Sequence, residues 1–220
     1  GGATWTERSG LTDLDSASRW SFPPRPDTHH VRWIAVDPAD PDRLSVAIEA
    51  GALVRTDDAG EHWEDHPEGA RRDNHTLGTH PDAPERVYTA AGDGYAESRD
   101  RGDTWSFPQS GLDHRYVWGL AVGPDPDDVV VSAATGAREA HSTEGESYVY
   151  RRTDDGWERA MSGLPDPDGL ARAVLAAHDG RFYALTNHGL FASDDGTAWS
   201  ALDLAWPGEY RQLPRGLAVV

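Results

Sequence analysis

The sequence predicts an all-β protein built from repeated four-stranded antiparallel units. The first observation is a short motif that recurs along the chain and has its fullest form at residues 98–105 (SRDRGDTW). The second is the regular spacing of the motif tryptophans. The third is a set of Pro- and Gly-rich turns that recurs in phase with them, as at residues 37–43 and 80–86. Because a regular repeat of about 20–50 residues is typical of solenoids and propellers, these observations indicate a repeat architecture.

The motif reads Ser-x-Asp-x-Gly-x-Thr-Trp, and its chemistry favours a tight turn between two strands. Ser or Thr and Asp side chains cap backbone N–H groups, Gly adopts a positive φ, and the Trp packs against a neighbouring repeat. Looser copies lie at residues 56–63 (TDDAGEHW), 193–199 (SDDGTAW) and 153–157 (TDDGW), and residues 2–5 (GATW) match the end of another.

At these residues the sequence resembles the Asp-box (BNR) repeats of sialidase-like β-propellers, within the wider group of WD40-, YVTN- and BNR-like repeat proteins. The resemblance extends over essentially the whole chain at the level of the repeat. It implies a β-propeller of four-stranded antiparallel blades. It also implies that the boxes are structural turns, remote from any ligand site.

The spacing of the motif tryptophans places the expected blades. Trp5, Trp63, Trp105, Trp157 and Trp199 are separated by 58, 42, 52 and 42 residues. A spacing near 42 suits a four-stranded blade, so we expect blades at about 30–69, 73–108, 115–161 and 171–204.

The remaining segments are expected to be partial blades and loops. Residues 1–8 are predicted to be the last strand of an earlier blade. Residues 213–220 are predicted to be the first strand of a later blade, or of that same earlier blade closing the ring. Together they favour a six- or seven-bladed ring in an intact protein that begins upstream. Residues 9–28 and 136–147 interrupt the period and are predicted to be loops. The chain is otherwise expected to be a single domain.

The composition excludes several classes of partner. The chain has 38 acidic and 20 basic residues, no lysine, and a net charge of −18, which argues against a nucleic-acid or anionic-membrane partner. The absence of cysteine excludes disulfides and thiolate chemistry. Since no apolar run approaches the ~20 residues that cross a bilayer, we expect a soluble protein, either cytoplasmic or secreted. Its oligomeric state is left open.

Polar residues recur at equivalent positions where the first strand of each predicted blade begins. These strand starts and the turns between strands 2 and 3 share one face of a propeller, opposite the Asp boxes. The equivalent first-strand positions are Arg32, His75, Trp118, Arg172 and Arg215, and those two residues earlier are His30, Asp73 and Tyr116. The same face is predicted to include Glu49 and His188 from the turns and His141 from the second insertion. Packing alone would favour apolar residues here, so we expect either a ligand site or a wet channel.

Three kinds of chemistry fit these residues. Arg32, Arg172 and Arg215 suit a carboxylate or another anion, since guanidinium groups bind carboxylates bidentately. Glu49 and Asp73, with His75 beside them, suit glycoside hydrolysis, and Tyr116 and Trp118 would stack on sugar rings. His30, His75 and His141, with Glu49 or Asp73, suit a divalent metal, which is the one cofactor that the sequence suggests.

The leading functional hypothesis is a sialidase-like propeller that binds a small polar, anionic or saccharide ligand at its channel mouth. Glycoside hydrolysis is the enzymatic form of this hypothesis. The Arg-Ile-Pro motif of sialidases does not occur in the sequence, which argues against sialidase activity itself. The alternatives are a non-catalytic scaffold for a protein partner and a metal-dependent lyase.

Overall fold

The structure is a computed structural model that describes residues 2–205 and 212–220. Its described residues are nearly all-β and form four antiparallel sheets. Sheet I contains β1 (Val31–Asp37), β2 (Asp40–Ile48) and β3 (Ala52–Thr56), and sheet II contains β4 (Asn74–His80), β5 (Ala83–Ala91) and β6 (Gly94–Ser98). Sheet III contains β7 (Tyr116–Val122), β8 (Val129–Ala134), β9 (Ser147–Thr153) and β10 (Gly156–Arg159). Sheet IV contains β11 (Val174–His178), β12 (Arg181–Thr186), β13 (Gly189–Ser193) and β14 (Ser200–Ala201).

The first strands of consecutive sheets lie side by side. β1 neighbours β4, β4 neighbours β7, and β7 neighbours β11. Side chains on one first strand also bond to the backbone of the next. For example, the Thr76 hydroxyl on β4 donates to the carbonyl of Trp118 on β7 at 2.7 Å. In each sheet the remaining strands follow in sequence order. The four first strands therefore bring their residues to one common edge of the assembly.

The apolar core lies between consecutive sheets. Tyr88 and Tyr95 of sheet II pack with Val131 and Trp157 of sheet III. A second cluster joins sheets III and IV, and a smaller one joins sheets I and II. The core is layered because a strand points its side chains to both faces of its sheet, and both faces are buried where a sheet is packed between two others.

Three copies of the motif, at residues 56–63, 98–105 and 193–199, form the capped turns that their chemistry predicts. The copy at residues 153–157 instead forms the β9–β10 hairpin, where the Thr153 hydroxyl donates to the Gly156 carbonyl. In residues 98–105, the hydroxyl oxygen of Ser98 accepts a bond from the Gly102 N–H at 2.7 Å. The Asp100 carboxylate accepts from the backbone N–H of Thr104 at 2.8 Å and from its hydroxyl at 2.6 Å. Corresponding bonds join Gly60 to Thr56, His62 to Asp58, Gly196 to Ser193 and Thr197 to Asp195.

The fourth strand is shorter than predicted in sheets I and II. There it is reduced to single bridges, Arg55 with Glu64 and Glu97 with Ser106. Pro67 and Pro108 follow these bridges closely. Proline has no N–H to donate, so it does not continue the ladder.

The predicted partial blades are not formed in the described residues. Residues 2–8 and 213–220 contain no strand, since neither segment joins a ladder of backbone hydrogen bonds there. The first insertion is also more than a loop, because it contains two 3-10 helices, Leu11–Asp13 and Asp15–Arg19. The second insertion contains the short helix α1 (Ala137–Ala140). Within the described residues, no helix is long and apolar enough to cross a membrane.

Candidate functional site

The first strands of sheets I, II and III share a register irregularity near their beginnings. It falls between Val31 and Trp33, between Asn74 and Thr76, and between Val117 and Gly119. The residues left without a cross-strand partner are Arg32, His75 and Trp118. An extra residue of this kind bends the strand locally and turns its side chain out of the regular pattern. The equivalence that the sequence predicts for these three positions therefore has a structural basis.

Arg32 and Trp118 line a pocket of about 410 Å³ at the common edge of the first strands, and His75 packs against Trp118 outside the lining. The walls come from separate parts of the chain: the first insertion, the chain at and before the starts of first strands, the β2–β3 turn, the second insertion and the C-terminal segment. The pocket brings together seven of the residues predicted from the sequence, namely His30, Arg32, Glu49, Trp118, His141, Arg172 and Arg215.

Two arginines pack on the indole of Trp118. The guanidinium carbon of Arg32 lies 4.6 Å from the ring centre, and that of Arg172 lies 4.3 Å from it. Burial lowers the pKa of Arg172 to about 10, and the positive charges of Arg32 and Arg215 contribute to the shift. Burial also lowers the pKa of Arg32, although Glu49 opposes the shift. The pocket therefore concentrates positive charge in a chain whose net charge is −18.

Trp118 is not the sugar-stacking platform that the sequence suggests. Only 6% of the residue is exposed. Besides the two arginines, His75 and His141 lie against it, each with its ring centre 4.4 Å from that of the indole. We conclude that Trp118 supports the surrounding cationic and imidazole groups.

His141 lies at the inner side of the pocket and is electrically neutral at neutral pH. Its ring packs edge-on against Trp118, and its Nε2 lies 3.4 Å from the Tyr116 hydroxyl. Burial lowers the pKa of His141 to about 4, and the positive charges of Arg172 and Arg32 act in the same direction. His141 therefore offers a hydrogen bond rather than a charge to a ligand.

Glu49 is the acidic member of the pocket. Its Oε2 lies 2.7 Å from Nδ1 of His30 and 4.0 Å from Nε of Arg32. Its position in the turn after β2 is fixed by the backbone bond from the Glu49 N–H to the His30 carbonyl at 3.0 Å. This contact with the chain just before β1 explains why two residues 19 positions apart share one wall.

Asp73 and His75 lie beside Glu49. The ligand atoms of these three side chains lie within 4.8 Å of one another. Burial would raise the pKa of Asp73, but His75 and the Ala50 N–H outweigh that effect and hold the pKa below its usual value. Asp73 is therefore an ionised carboxylate at neutral pH.

The predicted three-histidine metal site is not formed. Among the described residues, the group of potential ligands that meets is Glu49, Asp73 and His75. His30 instead bonds to Glu49, and His141 packs on Trp118. The separation arises because His141 comes from the second insertion, which follows strand β8 two sheets away from β1.

Two further predicted residues lie outside the pocket lining. His188 is exposed in the β12–β13 turn, where its Nε2 lies 3.2 Å from the Gly169 carbonyl. Tyr116 lies behind the lining and packs against His75 with ring centres 4.9 Å apart. Tyr116 contacts the lining residue His141, but neither Tyr116 nor His188 lines the pocket itself.

Sequence reasoning missed three residues of the lining, Phe22, Pro24 and Leu213. Phe22 packs on His30 with ring centres 4.5 Å apart. Phe22 and Pro24 belong to the FPPRP segment at residues 22–26, four residues before β1, and this position near the predicted site was the available signal. The segment falls outside the repeat period, so counting equivalent positions could not place it.

No protein-family profile matches the sequence, and no curated protein matches it significantly. Solved structures do match. An ancestral GH74 enzyme is 12% identical with a TM-score of 0.62, and the match covers 80% of this chain and 24% of that one. The GH74 xyloglucanase from Xanthomonas campestris is 21% identical with a TM-score of 0.60, covering 80% of this chain and 30% of that one. A structure of YCF48 bound to D1 peptide is 16% identical with a TM-score of 0.52, covering 91% of this chain and 58% of that one.

These likenesses, together with the four antiparallel sheets, establish a β-propeller-like fold. The chain spans 24% and 30% of the two GH74 chains and 58% of the YCF48 chain. At identities of 12–21% these comparisons support the fold alone and not a shared activity. The six- or seven-bladed ring stays a prediction.

Proposed function

We propose that the pocket around Trp118 binds a small carboxylate-bearing ligand, and a saccharide acid in particular. The observation that carries the proposal is the pair of guanidinium groups held against one indole ring. Both groups lie within 4.6 Å of the ring centre, and Arg172 is only 5% exposed. Two like charges in a partly desolvated pocket repel each other, and a bound anion would remove that repulsion.

The other polar groups of the pocket suit the hydroxyls of a sugar acid. Glu49 accepts hydrogen bonds, and neutral His141 offers one donor and one acceptor. Arg215 adds a third, exposed cation at the pocket. Guanidinium groups bind carboxylates with two parallel hydrogen bonds, so arginine is well suited to select an acid over a neutral sugar.

Calorimetric titration with glucuronate, succinate and glucose tests this proposal. We expect both acids to bind more tightly than glucose, and more weakly at high salt. Arg32→Gln and Arg215→Gln should each weaken glucuronate binding by about tenfold or more. Arg181→Gln is the matched control, because this arginine is exposed at the start of β12, where it pairs with Asp194. Equal binding of glucose and glucuronate, or no binding of any probe, would show that the proposal is wrong. The latter result would favour the scaffold alternative.

Glycoside hydrolysis is the second candidate, and the close approach of Glu49 and Asp73 favours it. Their ligand atoms lie within 4.8 Å of each other, near the ~5 Å separation of retaining glycosidases and shorter than the ~6.5–9.5 Å of inverting ones. The lowered pKa of Asp73 suits a nucleophile, which leaves Glu49 as the acid. Aryl glycosides of uronic acids test this role. A release of aryl alcohol that Asp73→Asn abolishes while ligand binding persists would support it.

A further inference from the structure

The cluster beside the pocket consists of Glu49, Asp73 and His75. Glu49 lies in the β2–β3 turn, Asp73 directly precedes β4, and His75 is the extra residue at the start of β4. One ligand atom from each lies within 4.8 Å of the other two. Three side chains that converge to this distance can share one small ion.

His75 shows which atom would face such an ion. Its Nδ1 lies 2.7 Å from the carbonyl oxygen of Val117, and a carbonyl only accepts, so Nδ1 carries the hydrogen. The residue has no solvent exposure, and its Nε2 is buried without a hydrogen-bond partner. The Asp73 Oδ2 atom lies 3.6 Å from this Nε2. In the neutral ring, a lone pair therefore faces a carboxylate, which is an unfavourable contact unless a cation lies between them.

The groups around the cluster are arranged as partners of metal ligands usually are. A metal-bound histidine commonly donates its other N–H to a backbone carbonyl, as His75 does to Val117. Asp73 Oδ1 accepts from the Ala50 N–H at 2.9 Å, and Glu49 Oε2 is bonded to His30. Each of the three candidate ligands is thus held by a bond of its own.

Gly92 leaves the space that the Asp73 carboxylate occupies. A Cβ at position 92 would lie 2.2 Å from Asp73 Oδ2. The Gly92 N–H also donates to the Asp73 carbonyl at 2.9 Å. The turn between β5 and β6 therefore fits closely around this side chain and fixes its direction.

We propose that Glu49, Asp73 and His75 bind one divalent first-row cation, Zn²⁺ or Mn²⁺. Two carboxylates and one imidazole supply the mixed oxygen and nitrogen ligands that these ions accept. Their combined charge of −2 matches the charge of the ion, and Arg32 lies no closer to Glu49 Oε2 than 4.0 Å. The metal site shares Glu49 with the pocket around Trp118, but Asp73 and His75 do not line that pocket, so the two proposals can fail separately.

The test is a titration of the untagged full chain with MnCl₂ or ZnCl₂ after removal of chelator, in a buffer without organic acids. We expect one ion per chain and a higher melting temperature with the ion. Asp73→Asn and Glu49→Gln should each lower the affinity by about tenfold or more. Asp93→Asn is the matched control, because Asp93 is an exposed carboxylate in the β5–β6 turn that pairs with Arg71.

Nitrogen NMR of His75 separates the metal site from its rival, a buried imidazolium paired with Asp73. Metal binding predicts an Nε2 without hydrogen whose signal shifts when the ion is added. Two protonated ring nitrogens together with no stoichiometric binding would overturn the proposal. Unchanged affinity in both Asp73→Asn and Glu49→Gln would do the same. Absence of glucuronate binding with metal binding intact would argue against the proposed function of the pocket around Trp118 and would leave the metal site supported.

Discussion

The guanidinium carbon of Arg172 lies 4.3 Å from the centre of the Trp118 ring. Arg172 directly precedes sheet IV, and Trp118 belongs to β7 of sheet III, so this contact joins two sheets at the pocket. Nη1 of Arg172 also donates to the Pro214 carbonyl at 2.9 Å. The pocket is therefore assembled by packing between segments that are distant in sequence, and its geometry depends on the sheets remaining in register.

Replacing the indole tests whether Trp118 positions the arginines. We expect Trp118→Leu to weaken glucuronate binding by about tenfold, because a desolvated cation–π contact contributes about 1–2 kcal/mol. Trp33→Leu is the matched control, since Trp33 lies on β1 and is 37% exposed. Calorimetric titration of both variants gives the comparison. If Trp118→Leu binds as the unmodified protein does, the ring does not hold the arginines in place.

Much of the site follows from the repeat period. Counting back from equivalent turns aligned Arg32, His75 and Trp118, and the structure shows all three as extra residues at the same register irregularity. The irregularity itself has no sequence signal, because it depends on how each strand pairs with its neighbour. This is why the burial of His75 and the covering of Trp118 could not be predicted.

Residues outside the period were the least predictable. His141 was assigned to the correct edge, but its packing on Trp118 depends on the path of the second insertion. Phe22 reaches the pocket because the first insertion folds back onto sheet I, where Trp20 is 5% exposed. Such contacts arise from tertiary packing, which a count of equivalent positions does not describe.

The turn at residues 56–63 contains a pH-sensitive pair. His62 replaces the usual Thr, and its hydrogen bond to the Asp58 carboxylate raises the pKa of His62 above its usual 6.5. The His62 N–H and ring together lower the pKa of Asp58 to about 2. His62 thus contributes stability that is fully present below pH 6.5 and lost as pH rises through its folded pKa. Asp58 contributes stability that is present above pH 3.8 and lost as pH falls towards 2.

An NMR titration checks this pair directly. In Asp58→Asn, the pKa of His62 should return towards 6.5, and the stability that depends on pH between about 2 and 4 should decrease. Asp57→Asn is the control, because Asp57 is next to Asp58 in the sequence but its carboxylate pairs with Arg43 and not with His62. An unchanged His62 titration in Asp58→Asn would contradict the assigned bond.

The capped turn at residues 98–105 should contribute to stability and not to ligand binding. Asp100→Ala removes the carboxylate that accepts the Thr104 N–H and hydroxyl bonds. We expect the free energy of unfolding to fall by about 1 kcal/mol, as for the loss of a cap, with glucuronate affinity unchanged. Denaturant unfolding and calorimetric titration measure the two effects, with exposed Asp82→Ala as the control. A folded Asp100→Ala protein without ligand affinity would contradict the assignment of this turn to the edge away from the pocket.

Two glycines with similar backbone angles should respond differently to alanine. Gly69 and Gly111 have φ values of 81° and 78° and follow the fourth-strand segments of sheets I and II. A Cβ at Gly69 meets no atom within 4 Å, so Gly69→Ala should cost about 1 kcal/mol for the left-handed conformation alone. A Cβ at Gly111 would lie 2.1 Å from the carbonyl oxygen of Trp157, which is backbone and is held by the bond from the Trp157 N–H to the Ser110 carbonyl at 2.8 Å. Gly111→Ala should therefore lower the free energy of unfolding by more than about 3 kcal/mol, because sheets II and III must separate to admit the methyl group. Denaturant unfolding of both variants measures the difference, and equal losses would mean that the chain at Gly111 is not packed against sheet III.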